Sequence, residues 1–527
     1  MSENTPNKPV FKWKEYHSGA EQMRELLNAV SPSFCLAKWM MVSLHLTNGK
    51  TQSCYHPPAH DIPTEGLAEN PGLLHNTEIK INERKQMRNG ERPAGCKYCW
   101  VVEDAPGADE KGHLSDRHYR SSEWWVSDEL QKIKMADLDF DKSVTPAYIE
   151  VNFNQACNLK CIYCSPHISS EWQREIEQFG SYKLEDMNHN DIISLQRAGL
   201  MPRAVPNSEN PFVKAFWAWW PKIYGTLKVF RMTGGEPLMD ANTWKVLDYI
   251  DKNPNADLEL CVTSNFCPPK PEIFDRFISQ LQKLEQVRIW EDPDKFNKNS
   301  GNFGYVSPAI KYFMLFVSCD SVGEHAEYIR SGMNFNLLKN NVQQFLTKTQ
   351  GTSVTFINTV NLLSLPKLKD FLKLILQVRE EFSYDRQKEI VIEVPPRAGV
   401  THPPHVRKRR QRIWFDVPIL NHPAWLSIKL AAGTEWEKHV EECIAFMEEN
   451  VQKEDYDTSY RGFKPYEILK LKRNLAVMKQ GFTEKEQALY EKRFVQYINE
   501  LDLRRGTNFK KTFPQMASFY NKAMLRL

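Results

Sequence analysis

No apolar run in this 527-residue chain reaches the roughly 18 residues that a membrane-crossing helix needs, so none is expected. The opening Met-Ser-Glu-Asn-Thr-Pro is polar and has no apolar core of a secretory signal. The expectation is a cytoplasmic, reducing location with no membrane partner. An excess of charge is missing too. With 69 Lys and Arg against 66 Asp and Glu, the net charge is only +3, which argues against a dedicated nucleic-acid binder. Glycine is scarce, 23 residues against 31 prolines, so many turns are rigid ones. There is no internal repeat and no low-complexity tract. What is left is ordinary globular composition, 41% hydrophobic and 26% charged.

The eleven cysteines are unevenly spread. Seven of them, Cys35, Cys54, Cys96, Cys99, Cys157, Cys161 and Cys164, lie in the first third of the chain. In a reducing compartment such clustering points to metal or catalysis rather than disulfides. Residues 1–145 read as a polar lead-in, a loop-rich Cys-bearing unit organised by a metal, and a charged connector. Residues 146–400 alternate short apolar runs with helical stretches. Strands are expected at 148–154, 227–232, 258–264, 312–319, 353–360 and 390–394, with helices such as 241–251 and 365–380 between them. Strand–helix alternation implies a parallel sheet or barrel. Two intervals, 180–225 and 291–310, are too long for plain loops and read as insertions covering a site. Residues 401–527 read as a helical C-terminal region. It opens near a basic run at 405–412, which reads as a solvated face or linker, with a nucleic-acid contact as the alternative.

The most specific pattern follows the first expected strand. Glu150-Val-Asn-Phe-Asn-Gln-Ala-Cys157-Asn-Leu-Lys-Cys161-Ile-Tyr-Cys164 sets three cysteines at i, i+4 and i+7. Soft thiolates suit iron–sulfur clusters and zinc. Three can hold three irons of a cubane, and the lack of a fourth local ligand leaves one iron open. A structural zinc would need a fourth ligand, for which His167 is nearest. About seventy residues on, Thr233-Gly234-Gly235-Glu236-Pro237 follows the second strand, where glycines let backbone approach a ligand closely.

Together, the CxxxCxxC loop with an aromatic before its third Cys and the Gly-Gly-Glu-Pro segment resemble the radical S-adenosylmethionine (SAM) superfamily. The resemblance covers about 148–395 and implies an α/β chain with a partial (β/α)6 TIM-type barrel. It implies a [4Fe-4S] cluster on Cys157, Cys161 and Cys164, with SAM on the open iron. Reductive cleavage of SAM would give a 5′-deoxyadenosyl radical that abstracts a substrate hydrogen. Gly234, Gly235, Glu236 and Pro237 would meet the amino end of SAM. Asn265, Ser318, Asp320 and Arg330, at later strand ends, would meet its ribose and carboxylate, and Asn358 and Asn361 are candidates for the adenine end or the substrate.

A second constellation precedes the first. Cys35 and Cys54 flank an alternating apolar–polar stretch with an Asn48-Gly49 turn, a hairpin signature, and Cys96 and Cys99 form a CxxC knuckle. Four thiolates are a full ligand set, and on spacing alone zinc and iron–sulfur are equal. The Cys-hairpin-Cys unit resembles the auxiliary-cluster fold called SPASM, or its shorter form twitch, displaced here to the N-terminal side of the barrel. That implies a second, auxiliary iron–sulfur cluster. His45, His56 and His60 are spare ligand candidates. Cys261, Cys319 and Cys443 read as core, and Cys267 as a thiol near a strand end.

The expected function is therefore a radical SAM enzyme acting oxidatively on a small-molecule or peptide substrate, fed by a reductase or flavodoxin-type electron donor. No single side chain is marked as catalytic. The alternatives are a zinc-organised binding module on a degenerate barrel, and a nucleic-acid-modifying member of the same superfamily.

Overall fold

The computed structural model describes residues 13–104, 113–126, 143–206, 208–289, 306–382, 389–392, 405–408, 412–452 and 461–527. The chain divides into two units, residues 1–150 with 208–229, and residues 151–207 with 230–527. No described helix is long and apolar enough to cross a membrane.

In the first unit, the Asn48-Gly49 turn folds β1 (Met41–His45) against β2 (Lys50–Gln52), and β2 pairs on to β3 (His60–Asp61), both antiparallel. Gly49 has φ +75°, and a Cβ there would stand 2.1 Å from the Phe212 ring, so backbone and packing both require glycine. Short helices Ala37–Met40 and Lys97–Glu103 and the Thr77-capped helix Glu78–Arg88 carry the rest of the Cys-bearing part. The interval 180–225 corrects its expectation in part. Its later half is the helix Pro211–Ile223, capped by Asn210 and begun by proline. Asn210 Nδ2 donates to Leu46 O at 2.8 Å, and Phe212, Phe216, Trp219 and Trp220 are buried. This is core of the first unit, not cover over a site; an apolar helix face gives the same sequence signal for either. Most of the other interval, 291–310, lies outside the described residues.

The second unit is α/β. Strands β4 (Tyr148–Asn152), β5 (Val229–Thr233), β6 (Asn255–Ser264), β7 (Ile310–Ser318), β8 (Thr352–Ile357) and β9 (Ile413–Asp416) lie side by side in the order β9-β8-β7-β6-β5-β4. β7 runs parallel to β6 and β8, and β8 to β9. Along β7, Phe313, Leu315 and Val317 are buried while Met314, Phe316 and Ser318 are half-buried, the period-2 pattern of a sheet with one tightly packed face. Helices Ala241–Lys252, Pro271–Glu285, Phe335–Lys348 and Leu368–Phe382 separate successive strands, the first and third capped by Asp240 and Asn334.

The strand expected at 390–394 is corrected. Glu389–Ile392 pairs antiparallel with His405–Lys408 in a separate ribbon, and Ile413–Asp416 takes the place beside β8. An apolar run announces a strand but not its partner, so the two runs were interchangeable on paper. The basic run is corrected at one end: Arg412 is buried, with Nε donating to Thr352 O at 3.1 Å and Nη2 to Thr349 O at 3.0 Å. The C-terminal helices Glu435–Glu449, Pro465–Gln480 and Glu484–Arg505 belong to the second unit. A fully buried ion pair, Arg379 to Glu467 at 2.6 Å, fastens the helix Leu368–Phe382 to Pro465–Gln480.

Candidate metal centres

The loop bearing Cys157, Cys161 and Cys164 leaves the C-terminal end of β4. All three sulfurs are strongly desolvated. Burial pushes the Cys157 thiol up to about 12, with neighbouring Cys161 adding to it, and raises Cys161 and Cys164 as well. Such thiols hold their protons until a metal displaces them. Leu159 N donates to Cys157 Sγ at 3.5 Å, and Arg330 Nη1 to Cys161 Sγ at 3.4 Å. His167 accepts or donates at Nδ1 with Ser165 Oγ at 2.8 Å.

The loop has little secondary structure of its own, and its carbonyls are tied down by side chains from elsewhere. Ser170 Oγ donates to Cys157 O at 3.1 Å, Ser169 Oγ to Leu159 O at 2.8 Å, and Asn190 Nδ2 to Cys164 O at 3.1 Å. Three consecutive carbonyls take buried donors: Lys160 O from Arg505 Nη1 at 2.8 Å, Cys161 O from Trp172 Nε1 at 2.7 Å, and Ile162 O from Tyr497 OH at 2.5 Å. Sequence reasoning missed all of these. The Ser169-Ser170 pair, opening the helix Ser170–Phe179, was a readable helix start. Tyr497 and Arg505, more than 330 residues away, gave no local signal.

The Gly-Gly-Glu-Pro segment lies directly on this loop. Gly235 N donates to Asn154 O at 3.3 Å and Glu236 N to Ala156 O at 2.6 Å. A Cβ on Gly235 would stand 2.3 Å from Ala156 O, and one on Gly234, where φ is +131°, 2.6 Å from Asn152 Oδ1. Among the described residues, Asn152 Oδ1 is buried with no hydrogen-bond partner. The Glu236 carboxylate is buried and accepts from Leu238 N at 3.0 Å, Ser264 Oγ at 2.8 Å and Asn265 N at 2.7 Å. Burial raises it to about 7, those three donors pulling it back only in part. A carboxylate has about four acceptor positions, so one remains. Pro237 starts the short 3₁₀ turn that follows.

The later strand-end residues gather around the same loop. Asp320, fully buried, accepts from Tyr163 OH at 2.7 Å and Thr359 N at 2.8 Å and pairs with Arg330 Nε at 2.8 Å. Arg330 reaches the site because residues 330–331 pair antiparallel with 160–161, an approach that Gly332 permits: at φ +100°, a Cβ there would stand 2.9 Å from Asn158 O. Asn265 spends its side chain on Asn158 Oδ1 at 2.9 Å and Cys267 N at 2.9 Å. Ser318 ends β7, half-buried. Asn361 caps the turn after β8, whereas both side-chain polar atoms of Asn358 are buried without partners among the described residues.

In the first unit, Cys35, Cys54, Cys96 and Cys99 line one cavity, with Lys38, His56, Arg117 and Arg120 in its wall. Cys35 precedes the helix Ala37–Met40, Cys54 follows β2, and Cys96 and Cys99 bracket the start of Lys97–Glu103. Burial pushes Cys54 up to about 12 and Cys96 to about 11, and raises Cys99 too. Of the spare histidines, His56 pairs with Asp116 at 2.5 Å and His60 with Thr77 Oγ1 at 2.8 Å, and His45 is half-buried on β1. Among the described residues, no three His, Cys, Asp or Glu side chains close up as around a single ion. Cys261, Cys319 and Cys443 are buried, and Cys267 Sγ donates to Asn334 O at 3.4 Å.

No protein-family model matches the chain, and no curated protein does. Solved structures that resemble it include crystal structures of Streptococcus suis SuiB. The form bound to precursor peptide SuiA is 11% identical with a TM-score of 0.25, over 64% of this chain and 60% of that one. The form bound to S-adenosylmethionine is 12% identical with a TM-score of 0.27, over 72% of each chain. The chain thus spans less than two thirds of the peptide-bound structure. Similarity at this level fixes neither a shared fold nor a shared function, and function has to be read from the residues themselves.

Proposed function

We propose that this chain is a radical SAM enzyme that binds a [4Fe-4S] cluster on Cys157, Cys161 and Cys164 and oxidatively modifies a small-molecule or peptide substrate. The observation that carries the reading is the seam between two motifs about seventy residues apart. The backbone of Gly235 and Glu236 is hydrogen-bonded to the carbonyls of Asn154 and Ala156, with no room for a side chain at Gly235. The seam lies at the C-terminal ends of β4 and β5, where sites of parallel α/β sheets assemble. When bound, the cluster and SAM supply one-electron reductive cleavage to a 5′-deoxyadenosyl radical.

The residues fit these groups. Three desolvated thiols offer soft ligands, and the open acceptors of Asn152 and Glu236, beside two glycines, suit an ammonium. Arg330, at 3.4 Å from Cys161 Sγ, stabilises thiolate charge, and Asp320 fixes Arg330. Ser318 and Asn265 face the ribose and carboxylate end in this reading, Asn265 through its position rather than a spare side-chain donor. Cys35, Cys54, Cys96 and Cys99 hold a second cluster. With four protein ligands it has no open iron, so it acts as electron relay or brace for an oxidation or crosslink, served by a flavodoxin-type donor or reductase.

The test is anaerobic reconstitution of the full chain. Replacing Cys157, Cys161 and Cys164 by Ala should abolish 5′-deoxyadenosine formation under dithionite, and undiminished formation would overturn the proposal. Iron and sulfide content then judges the second site. About eight irons per chain are expected for two [4Fe-4S] clusters, or about six if the second is [2Fe-2S]; one zinc with four irons would make the N-terminal unit structural.

A further inference from the structure

The wall of the four-cysteine cavity contains a buried ammonium with no part in the functions assigned so far. Lys38 is 2% exposed and pairs with Glu83 Oε2 at 2.5 Å. It lies three residues from Cys35 and lines the same cavity as all four thiols. Glu83 in turn is held against the loop just before Cys96: a Cβ on Gly95 would stand 2.5 Å from Glu83 Oε1. Both ends of the pair thus lie by the four-cysteine cavity, the ammonium in its wall and the carboxylate against the residue before Cys96. A buried ion pair adds little net stability over an apolar pair of similar volume, so packing alone does not account for it. The cavity's other wall cations are matched elsewhere, Arg117 by Glu103 and Arg120 by Glu123.

We infer that Lys38 is a positioning residue whose charge, metered by Glu83, sets the reduction potential of the second cluster. The inference rests on the four-cysteine reading above. Reduction adds one negative charge to a cluster that four thiolates already make anionic. An adjacent ammonium stabilises the reduced form and raises the potential, and the Glu83 carboxylate offsets part of that. The two members of the pair thus act in opposite directions, which a purely structural role would not produce.

The experiment is an EPR-monitored redox titration of the full chain carrying Cys→Ala at 157, 161 and 164, so that only the second cluster reports. Lys38→Met should lower the reduced-to-oxidised ratio at fixed poise about tenfold, about 59 mV for a one-electron couple. Glu83→Gln should shift it the other way, and Lys38→Arg should stay near the parent. If Lys38→Met does not retain the cluster, Glu83→Gln decides alone: an upward shift supports the inference, and no shift or a downward one overturns it. Same-direction shifts in Lys38→Met and Glu83→Gln also overturn it while leaving the cluster assignment intact. If the parent shows no iron–sulfur signal, the four-cysteine reading itself fails, and this inference with it.

Discussion

In the proposed function, Glu236 would couple proton binding to SAM binding. Burial lifts its carboxyl from the ordinary 4.5 to about 7, which makes the ionised form cost about 3 kcal/mol in the folded chain. The sign follows from proton counting. Between about 4.5 and 7 the folded state keeps a proton that the unfolded state has released, so stability falls as pH rises through that window, and the full cost persists above 7. A ligand ammonium at the remaining acceptor position reverses the cost, but only for the ionised carboxylate. Affinity for SAM should therefore drop about tenfold per pH unit below 7. It should drop again above about 8, where an α-amino group loses its own proton. Glu236→Gln should abolish the acid limb and weaken binding at pH 7.5 about tenfold or more, the worth of one charge-assisted bond. The assay is anaerobic calorimetry from pH 5.5 to 8.5 with iron content held equal. A wild-type affinity flat from pH 6 to 7.5, or an acid limb surviving in Glu236→Gln, would refute the reasoning.

Three further outcomes are expected. The Cys96→Ala, Cys99→Ala double variant should still form 5′-deoxyadenosine but lose net product; normal turnover of substrate would exclude the relay role. Arg379→Met should strand the Glu467 carboxylate in a dry interior and cost about 3–5 kcal/mol, read as a large fall in the thermal or chemical unfolding midpoint, with the double apolar replacement recovering much of it. Tyr497→Phe removes the donor to Ile162 O and leaves a buried carbonyl unpaired, at about 1–3 kcal/mol; faster loss of the first cluster to a chelator, with the second retained, is the readout.

Legibility in the sequence followed the range of the interaction. The hairpin at Asn48-Gly49 and the parallel strands were readable because turn chemistry and apolar periodicity are local, and the structure places strands at five of the six expected runs in the parallel sheet. The sixth place went to Ile413–Asp416, since a run of Ile and Val carries no address for its partner. At the site, glycine spacing and thiol spacing were visible. The grip of Trp172, Tyr497 and Arg505 on the loop carbonyls was not, because each is an ordinary helix residue until the fold brings it there. Asp320 and Arg330 stood out as polar residues at strand ends, but nothing in their order showed that they would pair and turn toward Cys161.

That distribution of contacts has a physical reason. The thiols of Cys157, Cys161 and Cys164 are pushed up by burial, so a metal-free loop gains by folding them inward as neutral apolar groups. The loop backbone is fixed from outside, by side chains of other elements. Carbonyls are the available handles, and donors on them leave the sulfurs unhindered. Arg505 shows the economy of the arrangement: besides Lys160 O it holds Glu175, which also binds Lys160 Nζ and Tyr182 OH. One helix end thereby anchors the loop and the helix Ser170–Phe179 behind it. The C-terminal helix Glu484–Arg505 is in this sense part of the cysteine site, although it lies in the region of the sequence that carries no motif at all.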